Sequence, residues 1–233
     1  MNPHQNQAIE DVAVLAEPVR RALYAYVSDQ LEPVGRDAAA EALDIGRPLA
    51  AFHLDRLVDA GLLDVTFRRL SGRAGPGAGR PAKLYSRSTR EVELTLPARN
   101  YEIAARLFAE ALAAGRAGTT STSQALDAAA HSYGESLGVE ARRRAGPRPS
   151  RSALIAAAVD VLNAAGFEPM TGDQDVIALR NCPFDAIAQT QRDLVCGMNL
   201  SLMDGVIAGL RANGIRAEVD RQPGMCCVVW RRN

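Results

Sequence analysis

Lysine is all but missing from this chain: 27 residues are basic, and Lys83 is the only lysine among them. Acidic residues also number 27, so the net charge is zero and no overall field advertises a nucleic-acid partner. Any such signal has to be local. Histidine is scarce, with 3 residues (His4, His53 and His131), which leaves little for a zinc enzyme. Neither the Walker nor the Rossmann glycine pattern occurs, and no motif supports Ser/His/Asp catalysis, so no enzymatic activity is expected. No apolar run approaches the length needed to span a bilayer. Residues 1–10 are polar and lack the apolar core of a signal peptide. The expected setting is therefore cytoplasmic, away from membranes. The 4 cysteines include no C-x-x-C pair, which argues against a zinc ribbon and a thioredoxin motif. Ferredoxin spacings are absent too.

What is present is enough apolar residue, 47%, to bury a real core over 233 positions. Apolar positions recur at helical spacing through 5–30, with a break near Pro18. Two short helices follow, about 36–43 and 48–60, joined by the turn Asp44-Ile45-Gly46 and closed by Gly61. Residues 62–70 and 82–86 read as paired strands around a Gly-rich stretch at 71–80. Helices are expected over 97–114 and 124–144, separated by a flexible joint at 115–123. A Pro-rich break at 146–150 precedes a helix, two strands, two further helices and a closing hairpin around Pro223-Gly224. The expected fold class is mainly α with α+β. It comprises a winged helix-turn-helix (1–96), a helical dimerisation or linker region (97–146) and a small α+β sensor domain (147–233).

The segment from Gly35 to Leu63 spaces Ala39, Leu43, Ala50, Leu54 and Leu57 as the inner face of two crossing helices. The second of these would enter the major groove of double-stranded DNA by its N-terminal end. Arg47, Ala51, Phe52, His53 and Arg56 lie on or near its outward side. The two arginines reach phosphates or guanine edges, and Ala51 and Phe52 suit thymine methyl groups. His53 has two readings, a phosphate contact or a semi-buried residue that orders the fold. Residues 66–90 carry Arg68, Arg69, Arg73, Arg80, Lys83, Arg87 and Arg90 without one acid, a charge pattern suited to a phosphate backbone. The strings AAFHLDRLVDAGLLDV and GRPAKLY resemble the winged helices of the ArsR-type repressor superfamily. That resemblance implies a homodimer reading a palindromic operator, with helices 97–114 and 5–16 as natural dimer contacts.

The cysteines are Cys182, Cys196, Cys226 and Cys227. Cys182 and Cys196 are expected near helix N-termini, where partial positive charge favours a thiolate. Cys226 and Cys227 are expected on the last strand, where neighbours point to opposite faces. Only one of the two should then join Cys182 and Cys196; Cys226 is favoured and Cys227 is the alternative. Three cysteines far apart in sequence can ligate an iron–sulfur cluster, with another residue as fourth ligand. The strings NCPF, LVCGMNLSLMDGV and PGMCCVVW are similar to the C-terminal domain of SufR-type iron–sulfur repressors. The resemblance implies that the cluster-bound form represses and that cluster loss releases DNA. Many relatives carry a histidine just after the Cys-Pro-Phe element and another a few residues on. Here Asp185 and Gln189 or Gln191 stand instead. Asp185 is therefore a possible oxygen ligand, and the cluster type, [4Fe-4S] or [2Fe-2S], stays open. Two rival readings are a sensor of a small organic ligand and a thiol or metal sensor without a cluster.

Overall fold

The computed structural model describes residues 3–69, 81–118, 120–172 and 176–232. The chain divides into two compact units, Pro3–Leu94 and Thr95–Asn233.

The first unit opens with α1 (Pro3–Ala13), a 3₁₀ turn at Val14–Ala16 and α2 (Pro18–Ser28). The break falls at Pro18 because Glu17 caps α2: its carboxylate accepts from the amides of Val19 at 3.1 Å and Arg20 at 2.7 Å. Then come β1 (Val34–Gly35), α3 (Arg36–Ala42), α4 (Arg47–Asp59), β2 (Leu63–Arg68) and β3 (Ala82–Arg87). The three strands form an antiparallel sheet in the order β1-β3-β2. Gly61, at φ +70°, ends α4 in a Schellman arrangement, with Gly61 N–H on Val58 O and Leu62 N–H on Leu57 O, both 2.9 Å. Leu23, Val27, Ala39, Ala50, Leu54, Leu57, Leu63 and Tyr85 make its buried core. A winged helix-turn-helix is what the spacing of these residues predicts, and the structure has it.

The second unit contains α5 (Tyr101–Arg116), α6 (Thr122–Ala145), α7 (Arg151–Ala164), β4 (Pro169–Thr171), β5 (Ile177–Leu179), α8 (Asp185–Thr190), α9 (Arg192–Leu210), β6 (Ile215–Val219) and β7 (Val228–Arg232). Its antiparallel sheet runs β4-β5-β7-β6. The sequence reading separated 97–146 from 147–233, and the structure joins them. Leu107 of α5 and Leu126 of α6 share one core with Leu162, Ile177, Leu202, Val206 and Trp230.

The centre of that core is a glycine interlock. Gly134 and Gly138 on α6 lie against Gly205 and Gly209 on α9. A Cβ at Gly134 would run into the carbonyl oxygen of Leu202, and one at Gly205 into that of His131. The two helices therefore touch backbone to backbone, an approach open only to residues without a side chain. This also corrects the expectation about apolar runs. Over its 19 residues α9 is long and apolar enough to cross a membrane, with a mean hydropathy of 1.3, yet most of it is buried within this unit.

Candidate DNA-binding face and cysteine cavity

In the first unit α4 buries Ala50, His53, Leu54 and Leu57, the i, i+3, i+4, i+7 stripe of a core-facing helix. His53 thus leaves the DNA-contact set. Its ring is buried, and Nδ1 lies 3.6 Å from the Glu17 carboxylate that caps α2. The opposite side of α4 carries exposed Arg47, Leu49, Phe52, Asp55 and Arg56, with Ala51 half-buried. Phe52 is 58% exposed and Leu49 44%.

The basic residues of α4 and of the run 66–90 are less unopposed than their sequence suggests. Arg47 pairs with Asp37 at 2.5 Å, Lys83 with Asp55 at 2.5 Å, and Arg68 with Glu32 at 3.7 Å. Arg90 is bound inward, to the buried carboxylate of Asp11 and to Ala60 O at 2.9 Å. Asp55 also accepts from the Tyr85 hydroxyl at 2.8 Å. Partial burial raises the Asp55 carboxyl, but the bonds from Lys83 and Tyr85 outweigh it and hold the group below its ordinary value. Arg56 and Arg69 carry no side-chain partner among the described residues. Arg73 and Arg80 lie outside the described residues.

In the second unit all four cysteines line one cavity of about 560 Å³. Each arrives differently. Cys182 follows Asn181, whose buried amide donates to Ala98 O at 2.7 Å and Gly166 O at 2.6 Å while its oxygen accepts from Arg99 at 2.6 Å. Asn100 N–H bonds Pro183 O at 3.0 Å from the other side. Cys196 is on the first turns of α9. Cys226 is anchored by its N–H on Leu179 O, 2.8 Å, and Cys227 by its carbonyl on Asp220 N–H, also 2.8 Å.

Two expectations change here. Cys226 and Cys227 precede β7, which begins at Val228. They sit in the turn before the strand, so face alternation does not apply and both reach the cavity. Nor does a helix terminus govern Cys182, since α8 has only 6 residues and starts at Asp185. Instead the Cys226 thiol donates to Cys182, which lowers the Cys182 value against the opposing effect of burial, with a further bond from Phe184 N–H. The same bond, together with burial, pushes Cys226 well up.

Cys196 and Cys227 are joined as a disulfide, with Cα atoms 6.1 Å apart, while Cys182 and Cys226 are free thiols. In this oxidised arrangement no group of three His, Cys, Asp or Glu side chains able to hold a metal exists among the described residues. Reduction of the one disulfide would return four soft sulfur donors to a single cavity, a donor set that suits an iron–sulfur cluster. Asp185 also lines the cavity, with its carboxylate 3.7 Å from Arg99 and accepting from Gln189 at 3.0 Å.

The sequence reading missed Asn181, Asn199 and Arg99. Asn199 has no exposed surface, and its Nδ2 lies 3.0 Å from the Cys226 sulfur. A signal for it existed: an asparagine in an apolar helix three residues after Cys196 shares that cysteine's face.

Comparison with known families bears on the first unit only. The chain matches no curated protein and no solved structure. Residues 15–66, which hold α2 to α4 and most of β2, match the family model of a helix-turn-helix domain. The chain therefore carries a helix-turn-helix of the DNA-binding, transcription-regulating kind.

Proposed function

We propose that this protein is a transcriptional repressor that binds a palindromic operator as a homodimer in the cytoplasm. Its operator affinity is set by an iron–sulfur cluster held by Cys182, Cys196 and Cys226. The observation that carries this reading is convergence: cysteines from three distant stretches of chain border one 560 Å³ cavity. A disulfide accounts for the meeting of Cys196 and Cys227, but not for two further free thiols, Cys182 and Cys226, on the same cavity.

When bound, the cluster would supply a redox-labile link between the three stretches. The rest of the work falls to the chain. Asn181 ties Cys182 to the segment 98–99, and that segment continues directly from the DNA-binding unit. Pro97 and Arg99 border the same cavity. A shift of Cys182 is thereby passed to the chain that carries the winged helix. Such couplings are typically worth about 1–3 kcal/mol. On DNA, Arg47 and Arg56 contact phosphates or guanine edges, and Phe52 meets thymine methyls.

The test is anaerobic purification with a visible spectrum and iron and sulfide analysis. The expected result is a coloured protein that loses its colour in the Cys182→Ser variant and keeps it in Arg56→Ala. A colourless protein without iron after reductive reconstitution would overturn the reading.

A further inference from the structure

The ligand set just proposed leaves Cys227 without a task, although it is the partner that the structure gives to Cys196. Cys227 is partly exposed where Cys196 is 5% exposed, so an oxidant in the cavity meets Cys227 first. Their Cα separation of 6.1 Å lies in the range that a disulfide spans without backbone movement. The other two sulfurs, of Cys182 and Cys226, stay free thiols on the same cavity. Asn199 holds Cys226 from the α9 side. The four cysteines are therefore two pairs rather than one equivalent set.

We infer that Cys227 is an oxidation site for hydroperoxides that captures Cys196 in a disulfide and so closes the cavity to the cluster. This rests on the reading that Cys196 is a cluster ligand. The chemistry balances in two steps. The Cys227 thiolate attacks the distal oxygen of the hydroperoxide; an S–O bond forms, the O–O bond breaks, and the alkoxide leaves with a proton as alcohol. The Cys196 thiolate then attacks the sulfenic sulfur; the S–S bond forms and hydroxide leaves, taking a proton to become water. Two thiols are oxidised and one hydroperoxide is reduced. Cys182 and Cys226 remain as thiols. Two of the three ligands cannot hold a cluster, and a dithiol reductant reopens the site.

The experiment uses the full chain, fully reduced and freed of reductant, then treated with one equivalent of hydrogen peroxide. Thiol titration should fall from the 4 cysteines of the sequence to the 2 that the disulfide leaves free. Peptide mapping should find the Cys196–Cys227 link. Cobalt(II), which does not reduce disulfides, serves as the probe of the site. Its thiolate bands should appear with reduced protein, vanish after peroxide and return after dithiothreitol. Cys227→Ser and Cys227→Ala should both bind cobalt and take up iron and sulfide when reduced, and neither should form a link to position 227. Agreement of the two variants separates the loss of the thiol from misfolding. A link joining other cysteines, undiminished cobalt bands after peroxide, or loss of cluster uptake in both Cys227 variants would overturn the inference. Failure of the reduced wild type to take up iron and sulfide would instead overturn the function reading, and the mapped link would show the oxidation site independently.

Discussion

The two units solve opposite problems with their polar side chains. In the first, charged groups stand outward on α4 and the strands, and their ion pairs, such as Arg47 with Asp37, are exposed and exchangeable. In the second, the polar groups that matter are amides turned inward. Asn181 binds two separate stretches of chain, at 98–99 and at Gly166, and Asn199 lies wholly buried beside a thiol. A surface that meets DNA needs only a rigid helix presenting loosely held cations, because phosphates can replace their partners. A cavity that gathers sulfur from positions 182, 196 and 226–227 needs its backbone fixed from several directions at once. The first kind of site should tolerate substitutions in stability and show them in affinity. The second should do the reverse.

The largest expected effect tests the inward half of this contrast. Gly134→Ala puts a methyl group against the backbone carbonyl of Leu202, and neither helix has a flexible side chain there to give way. The expected loss is about 3 kcal/mol, at the upper end for overpacking of a core. Urea unfolding measures it. DNA binding at temperatures where the protein stays folded should change little. A Gly134→Ala protein as stable as wild type would show that the α6–α9 contact is looser than a backbone interlock.

Arg56→Ala tests the outward half. Arg56 is exposed on α4 and has no side-chain partner among the described residues, so its removal should leave unfolding unchanged. Operator affinity should fall by about 2 kcal/mol, the middle of the range for a good base contact. Should the loss be the same on every DNA sequence and shrink in salt, Arg56 holds a phosphate. Unchanged affinity would remove α4 from the recognition role.

The same contrast explains what could be read from the residues alone. The first unit was legible because its helix-turn-helix is contiguous: apolar spacing, Gly46, Pro48 and Gly61 fix α3 and α4 within a residue or two. His53 stood between two readings, and burial decides for the one that orders the fold, because it fills the i+3 position of the stripe of Ala50, Leu54 and Leu57. The cysteine positions were legible as candidates, but their geometry was not. It turned on whether β7 begins before or after Cys227, and strand ends are the least determined feature of a sequence pattern. The α6–α9 interlock was invisible because glycines in a helix normally signal weakness rather than contact.

The smallest effect is the most discriminating, because it touches stability and affinity with opposite signs. Asp55 sits among the exposed residues of α4 that include Arg56 and Phe52, yet is acidic, and it holds Lys83 and Tyr85. Its carboxyl is held below the ordinary value, so the folded state binds a proton less readily than the unfolded chain. The stabilisation it gives is therefore present above the ordinary carboxylate range and is lost as pH falls through the folded value. Asp55→Asn removes that acid-side loss. At neutral pH it should cost less than about 1 kcal/mol, since the pair is largely solvent-screened. The amide no longer neutralises Lys83, whose ammonium becomes available to a phosphate. Operator binding should then tighten at low salt while the urea midpoint falls slightly and its drop as pH falls below the ordinary carboxylate range flattens. If binding weakened instead, Asp55 itself would be contacting DNA, as an acceptor for a cytosine amino group. Lys83 would then act only as the clamp that aims it.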